Sequence, residues 1–345
     1  MKFCIFLISL ALPFSVAALG SGDNAFLTAR DAFRAGDINK LERAASQLGN
    51  HELAPYVENY RLRMWMDQGN TNNLRDFLQR HEGSFVAEKL RAEWIRWLAK
   101  RSTWNEVDAE FPKMLAPDPD IICLSQQARL AREDRGALVD AEKTWLTMLE
   151  PPESCRPIMD ALVASERITT DEIWARARRQ VEANRPGWAK TTLNYLPDNQ
   201  IPDGRNFDSA ISNAMGYLVR QPGNWSASRA GRELAAIAIA RLATSDPRVA
   251  ADELEKIKGK LHDSERQWAW SQIALQAAKK HLSETVGWYA NAGKATLSDE
   301  AAQWKVRAAL RAQEWGVVRD TIEAMQPDLA ARPEWTYWLG RALKS

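Results

Sequence analysis

Apolar residues return every three to four positions along almost the whole chain. Nowhere does alternation with period two run long enough to make a strand. Trp94, Trp97, Leu98 and Arg101 fall at offsets 0, 3, 4 and 7, which puts three apolar groups and one long aliphatic stem on a single helix face. Ala302, Val306, Ala309 and Leu310 share a second face, Val318, Ile322 and Met325 a third, and Trp335, Trp338, Leu339 and Ala342 a fourth. Each stripe predicts one amphipathic helix.

The interruptions predict where helices start and stop. Ser298-Asp299-Glu300 offers a capping hydroxyl followed by carboxylates, which suit the positive end of a helix dipole. Thr169 and Glu172 have the spacing of a capping box. Gly69, Gly136, Gly187 and Gly316 are expected in short turns between helices, and Pro112, Pro151, Pro152, Pro197, Pro247 and Pro327 are expected to stop helices. Turn-forming residues are densest from Pro197 to Asp208. That stretch is the expected hinge but not a domain boundary, because helical pattern resumes on both sides. A short amphipathic hairpin cannot bury its apolar face alone. The chain is therefore expected to be an all-α solenoid of about ten stacked hairpins, with degenerate repeats and no strict tetratricopeptide signature.

Composition narrows the function classes. The formal net charge is +1, from 46 basic and 45 acidic residues in 345, so no electrostatic case exists for nucleic acid or for an anionic membrane surface. A hydrophobic content of 45% is enough to build a core, and the 15 tryptophans supply wide helix-to-helix contacts. Lys2, the apolar run from Phe3 to Val16 broken by Ser9 and Ser15, and the small residues Val16-Ala17-Ala18 read as an export signal over residues 1–18, leaving 19–345 as the mature chain. The run is too short for a comfortable membrane span; a buried N-terminal helix is the alternative. Cys4 lies too early to be a lipoprotein cysteine.

Two cysteines then remain, Cys123 and Cys155. An even pair in an oxidising compartment favours a disulfide, with two buried free thiols as the alternative. Closing that loop would contribute about 3 to 4 kcal/mol on the chain-entropy model. Neither cysteine has a cysteine or histidine at zinc-ligand spacing, so no metal and no cofactor is expected. His51, His81, His262 and His281 are scattered and expected at surfaces or in loops. Neither a phosphate-binding glycine loop nor a nucleophile elbow is present. Asn224-Trp225-Ser226 matches a glycosylation site, which matters only on a eukaryotic secretory route.

Several segments, taken in order, carry a resemblance. They are His51-Glu52-Leu53-Ala54-Pro55-Tyr56-Val57-Glu58-Asn59-Tyr60-Arg61-Leu62; Arg91 to Leu98 followed by Trp104; Cys123 with Ala128, Gly136, Ala141, Trp145 and Pro152 before Cys155; His262 to Trp270; Trp304 to Met325; and Trp335-Thr336-Tyr337-Trp338-Leu339-Gly340-Arg341-Ala342-Leu343. Together they resemble the long helical region of the soluble lytic murein transglycosylases, over about residues 24 to 343. The resemblance implies an α-superhelical domain over 19–345, with Cys123 and Cys155 in the family's disulfide-bearing hairpins. In that family a lysozyme-like domain follows and cleaves the bond between N-acetylmuramic acid and N-acetylglucosamine, giving an anhydro product, with one glutamate as acid and base.

This chain departs from the pattern. It stops at Ser345, where the family's linker and catalytic domain would begin. Its Glu153-Ser154 pair is wedged between Pro152 and Cys155, with no Gly-Leu-Met-Gln segment after it, and is expected to be a plain turn. No catalytic residue is expected. Trp94, Trp97, Trp268, Trp335 and Trp338 could stack on sugar rings, but they share stripes with core positions and are expected to pack hairpins together. Arg176, Arg178 and Arg179 are expected on a solvated face, with a basic rim toward anionic peptidoglycan stems as the alternative. Two readings follow. One is a helical module that engages peptidoglycan glycan strands without cleaving them. The other is a freestanding periplasmic scaffold for another envelope protein. Neither involves nucleic acid or, after signal removal, a membrane span.

Overall fold

The computed structural model describes residues 20–68 and 71–345. The export signal over 1–18, Cys4 and the turn at Gly69 lie outside these residues. Among the described residues there are 21 α-helices and no strand, so the all-α expectation holds. The chain divides into two compact units: one runs to Leu138 and includes Pro152–Ile158, and the other comprises Val139–Pro151 and Met159–Ser345.

The first unit contains α1 (Ser21–Ala35), α2 (Ile38–Leu48), α3 (Ala54–Met64), α4 (Thr71–Arg80), α5 (Phe85–Lys100), α6 (Trp104–Glu110) and α7 (Pro119–Ala131). Two further helices, α8 (Gly136–Thr144) and α9 (Arg156–Ala164), have residues in both units. Helix α1 packs on α2 and α3, α3 on α5, and α5 on α6 and α7, so most helices meet the next and the next but one, as stacked hairpins must. Turn chemistry sets these ends. Gly36 closes α1 in the left-handed region at φ 71°, where a Cβ is costly. Asp37, Ser84 and Asp118 cap α2, α5 and α7 by accepting from the backbone N–H of Lys40, Ala87 and Ile121. The core gathers Leu90, Trp94, Ile95 and Leu98 of α5 with Phe77 and Leu78 of α4 and Ile121 of α7.

The second unit holds α10 (Thr170–Glu182), α11 (Pro186–Leu193), α12 (Gly204–Ser212), α13 (Ala214–Val219), α14 (Arg229–Ser245), α15 (Pro247–Ile257) and α16 (Asp263–Lys279). It continues through α17 (Thr285–Asn291), α18 (Asp299–Ala312), α19 (Trp315–Glu323), α20 (Pro327–Ala330) and α21 (Pro333–Ala342). Helix α14 packs against α10, α12, α13, α15 and α16. Its run Leu234-Ala235-Ala236-Ile237-Ala238-Ile239-Ala240 is buried at every position, as a helix surrounded on all sides must be, and the alanines let neighbouring backbones approach closely. The four stripes read from the sequence all face cores. Thr169 and Glu172 form the expected capping box on α10, and Ser298 caps α18.

Two groups of expected breaks need correction. Gly136 opens α8, and Gly187 and Gly316 sit in the first turns of α11 and α19 rather than between helices. The left-handed residue in each of these turns stands three positions earlier, at Glu133, Asn184 and Gln313, all with φ near +60°. Pro247 and Pro327 start helices instead of stopping them: at the first helical position the missing N–H has no intrahelical partner to lose. Pro112, Pro151, Pro152 and Pro197 do lie beyond helix ends, each in or beside a 3₁₀ turn or its approach. The stretch from Pro197 to Asp208 lies within the second unit, and α12 begins inside it.

Candidate functional site

The first unit carries a groove of about 570 Å³, lined from α3, α4, α5 and the short 3₁₀ turn Met66–Gln68. Local sequence builds it. Pro55 at the start of α3 and Trp65 at its C-cap fix that helix's length, and Ser84 fixes where α5 begins. Three tryptophans line the groove. Trp94 is 1% exposed and belongs to the core, Trp97 is partly buried, and Trp65 keeps 37% of its surface in solvent.

The two outer indoles are held by carboxylates. Trp97 Nε1 donates to Asp67 Oδ1 at 2.8 Å, and Arg101 Nη2 donates to the same oxygen at 2.9 Å. The Arg101 guanidinium also lies over the Trp97 ring, 3.8 Å from its centre. Trp65 Nε1 donates to Glu42 Oε1 at 3.3 Å, and Arg61 Nε donates to that oxygen at 2.8 Å. The hydrogen bond from Trp97, then that from Arg101, holds the Asp67 carboxyl below its ordinary range, and chiefly that from Arg61 does the same for Glu42. Arg80 pairs with Glu58 at 2.6 Å across the groove lining. The side chains of Asn73 and Asp76, both exposed there, make no hydrogen bond among the described residues, and the Asp76 carboxylate acts electrostatically on Arg80. The sequence stripe flagged Trp94 and Trp97 but not Trp65. The only trace of Trp65 in the sequence is an aromatic just past a helix end, four residues after Arg61 and two before Asp67.

Cys123 and Cys155 are joined in a disulfide with Cα atoms 4.9 Å apart, tying α7 to the Glu153–Cys155 turn. Gln127 Nε2 donates to the Ser154 carbonyl at 2.5 Å beside it. Glu153 is 86% exposed and pairs with Arg156 at 3.1 Å. The histidines are spread. His51 bridges Asp23 at 3.1 Å, His81 packs on Phe77, His262 stands at the N-cap position of α16 with its backbone N–H donating to Glu265, and His281 contacts Arg311 at 2.7 Å. No group of three or more His, Cys, Asp or Glu side chains placed to hold a metal occurs among the described residues.

The arginines of α10 do not form a solvated face. Arg176 is buried, donating to the carbonyls of Trp145 and Met148 with its guanidinium 4.6 Å from the Trp145 ring centre, and burial pulls its pKa down to about 10. Arg178 makes a two-pronged pair with Glu233 at 2.7 and 2.6 Å, and Arg179 reaches the Leu297 carbonyl at 3.4 Å. Charge runs on a helix read as solvent-facing because the sequence does not show the carbonyls and carboxylates that other helices bring to meet them.

The sequence also hid a carboxyl in a second cavity, of about 330 Å³ within the second unit, lined by Glu182, Asn184, Arg241, Gln272 and Gln276 among others. Glu182 accepts from the Ser298 hydroxyl, and burial pushes its carboxyl above the usual range against the opposing pull of that bond and of Arg179. A third cavity, about 570 Å³, is lined by Tyr217, Arg220 and Trp225, and burial raises the Tyr217 phenol.

Among the described residues no helix is long and apolar enough to cross a membrane. No protein-family model matches the chain, and no curated protein matches it. Among solved structures it is similar to the lytic transglycosylase Slt from Pseudomonas aeruginosa, solved as an inactive mutant, with a TM-score of 0.61 and 22% identity over 93% of this chain and 52% of that one. It is similar also to a 70 kDa soluble lytic transglycosylase in complex with bulgecin A, with a TM-score of 0.56 and 18% identity over 94% and 53% of the two chains. The 70 kDa soluble lytic transglycosylase SLT70 from Escherichia coli gives 0.54 and 18% over 93% and 52%. The chain spans about half the length of these structures. The resemblance read from the sequence therefore holds as a shared fold: this chain has the helical architecture found in soluble lytic transglycosylases, over about half of their length.

Proposed function

We propose that this chain works in peptidoglycan turnover as the helical module of a transglycosylase-type protein, engaging glycan strands without cleaving them. Residues 1–18 would direct export to the periplasm, and 19–345 would form the module. The observation that carries this reading is the fold likeness to lytic transglycosylases across 93% of the chain. The exposed setting of Glu153 supports the absence of bond cleavage. Stacked hairpins also suit extended ligands, because each repeat adds surface beside its neighbour's.

The test is sedimentation of the purified chain with insoluble sacculi, together with assay of the supernatant for anhydro-muropeptides. Co-sedimentation without product release is the expected result. Release of anhydro-muropeptides by this chain alone would overturn the non-catalytic part. Failure to sediment would favour the protein scaffold. Recovery of a mature chain starting near residue 19 from the periplasm tests the export signal.

A further inference from the structure

We propose that the groove lined by α3, α4 and α5 is a saccharide-binding site, taking the apolar face of a pyranose ring on Trp65 and Trp97 and its hydroxyl and acetamido groups on the polar side chains around them. The inference rests on the module-level reading above and names the place on the module where a glycan would lie.

Four observations carry it. First, Trp65 stays 37% exposed at a groove whose other lining tryptophan from the core, Trp94, is buried. An indole left in water forgoes the burial its neighbours obtain, and a groove-lining indole regains it when an apolar ring face covers it. Second, both indoles are held in place. The carboxylates of Glu42 and Asp67 accept their N–H groups, so binding a ring would cost little side-chain ordering. Arg101 covers one face of Trp97, which leaves the ring a single face to offer. Third, the rim is rich in planar polar groups. The side chains of Asn73 and Asp76 make no hydrogen bond among the described residues, and the Glu58–Arg80 pair adds donors and acceptors with fixed geometry. Adjacent equatorial hydroxyls on a pyranose match such planar, two-pronged groups. Fourth, the lining charge balances: Arg61 and Arg80 stand against Glu58 and Asp76. A polyanion such as a phosphate chain would want an excess of cations, whereas a neutral sugar does not.

The test titrates the full chain with chitotetraose, a soluble oligomer of N-acetylglucosamine, reading tryptophan fluorescence and calorimetric heat. Sacculus sedimentation runs in parallel, and the variants are Trp65→Ala and Asp76→Ala. Saturable binding is expected, weakened about tenfold or more by Trp65→Ala, which corresponds to roughly 1.4 kcal/mol, and less by Asp76→Ala. Asp76 is exposed, so its variant is expected to keep the fold and decides the matter should Trp65→Ala misfold by circular dichroism. Absence of chitotetraose binding overturns the site. Equal sedimentation of wild type and both variants with sacculi overturns it too, while leaving the module-level reading intact. Chitotetraose binding through Trp65 with no affinity for sacculi supports the groove and overturns the peptidoglycan reading. Saturation by a free stem peptide in place of the saccharide also overturns the ligand class.

Discussion

The two units join their helices by different physical means. In the first, charged links between helices sit near water: Arg61 to Glu42 at 2.8 Å, Arg75 to Glu106 at 3.1 Å, Arg80 to Glu58 at 2.6 Å, and Arg96 to Asp118 and Asp120 at 2.6 Å each. One pair there, Arg91 with Glu110, is buried, and a disulfide adds a covalent tie. The second unit has exposed links as well, such as Arg248 to Glu284, but the links made by Glu233 and Glu265 lie inside. The Glu233 side chain is 0% exposed and holds Arg178 from α10, with Arg229 of its own helix nearby. Glu265 of α16 holds Arg232 of α14 at 3.1 Å. Exposed pairs are screened and contribute about 0 to 1 kcal/mol each, whereas a buried pair is costly to break because the surviving charge stays in low dielectric. The first unit therefore places part of its paired polar and aromatic side chains along a groove. The second commits Arg176, Arg178 and Arg232 to its own architecture.

The sharpest way to break the comparison is to remove one carboxylate from each unit. Glu233→Ala strands Arg178 inside the second unit and is expected to cost about 3 to 5 kcal/mol in chemical denaturation. Glu58→Ala removes an exposed partner of Arg80 in the first and is expected to cost about 1 kcal/mol or less. Equal losses would erase the distinction. Burial raises the Glu233 carboxyl while Arg178 opposes that shift, so Glu233→Gln, which keeps shape but not charge, should fall between the two.

Next in size is the disulfide. Replacing Cys123 and Cys155 by alanine frees a loop with a sequence separation of 32 and is expected to cost about 3 to 4 kcal/mol. The loss should be local: amide exchange in α7 should quicken while α14 stays protected. Both sulfurs are shielded, with Cys123 1% and Cys155 0% exposed, so reduction by a small thiol should be slow without denaturant. Faster exchange in α14 than in α7 would mean that the bond serves more than its own unit.

Much of this contrast could be read in the sequence, and some could not. Periodicity found the helices because burial is a local pattern, and the stripe of Trp94, Trp97 and Leu98 came out on the core side of α5. The disulfide came from counting cysteines. The roles of Gly136, Gly187 and Gly316 were misread because Glu133, Asn184 and Gln313 take the left-handed positions. Arg176, Arg178 and Arg179 were misread because their partners lie far along the chain, Glu233 being 55 residues from Arg178. The groove was half visible: Trp97 stood out, but Trp65 is positioned by Glu42, 23 residues earlier, a relation that no local pattern encodes.

A third prediction concerns pH. Burial raises Glu182 above its ordinary value of 4.5 in the folded state. Between the ordinary and raised values the folded chain binds more protons than the unfolded one, so this group's contribution to stability falls as pH rises through that window. Glu182→Gln should therefore gain stability relative to wild type near neutral pH and lose the advantage below pH 4.5, as read from melting temperature against pH. Asn184, Arg241, Gln272 and Gln276 line the same cavity, Arg179 and Glu300 act on the carboxyl electrostatically, and Ser298 bonds it. An advantage of the variant that persists unchanged into acid would show that charge burial is not its cause.

The smallest expected effect shows that burial, rather than membership of either unit, controls the contrast. Glu284 belongs to the second unit but lies at its surface, where a hydrogen bond from Arg248 Nε at 2.6 Å, with smaller contributions from its own backbone and from Ser283, takes its carboxyl down to about 2. A depressed carboxyl contributes stability above its unfolded value that is lost as pH falls toward the folded one, so any contribution here disappears only in strong acid. Arg248→Ala should return Glu284 toward the ordinary carboxylate range in a side-chain NMR titration, with little change in melting temperature at neutral pH. A lowered carboxyl with almost no effect on stability is what the exposed Arg61–Glu42 pair of the first unit should also give. A substantial loss of stability from Arg248→Ala would mean that the second unit depends on its surface charges as much as on its buried ones.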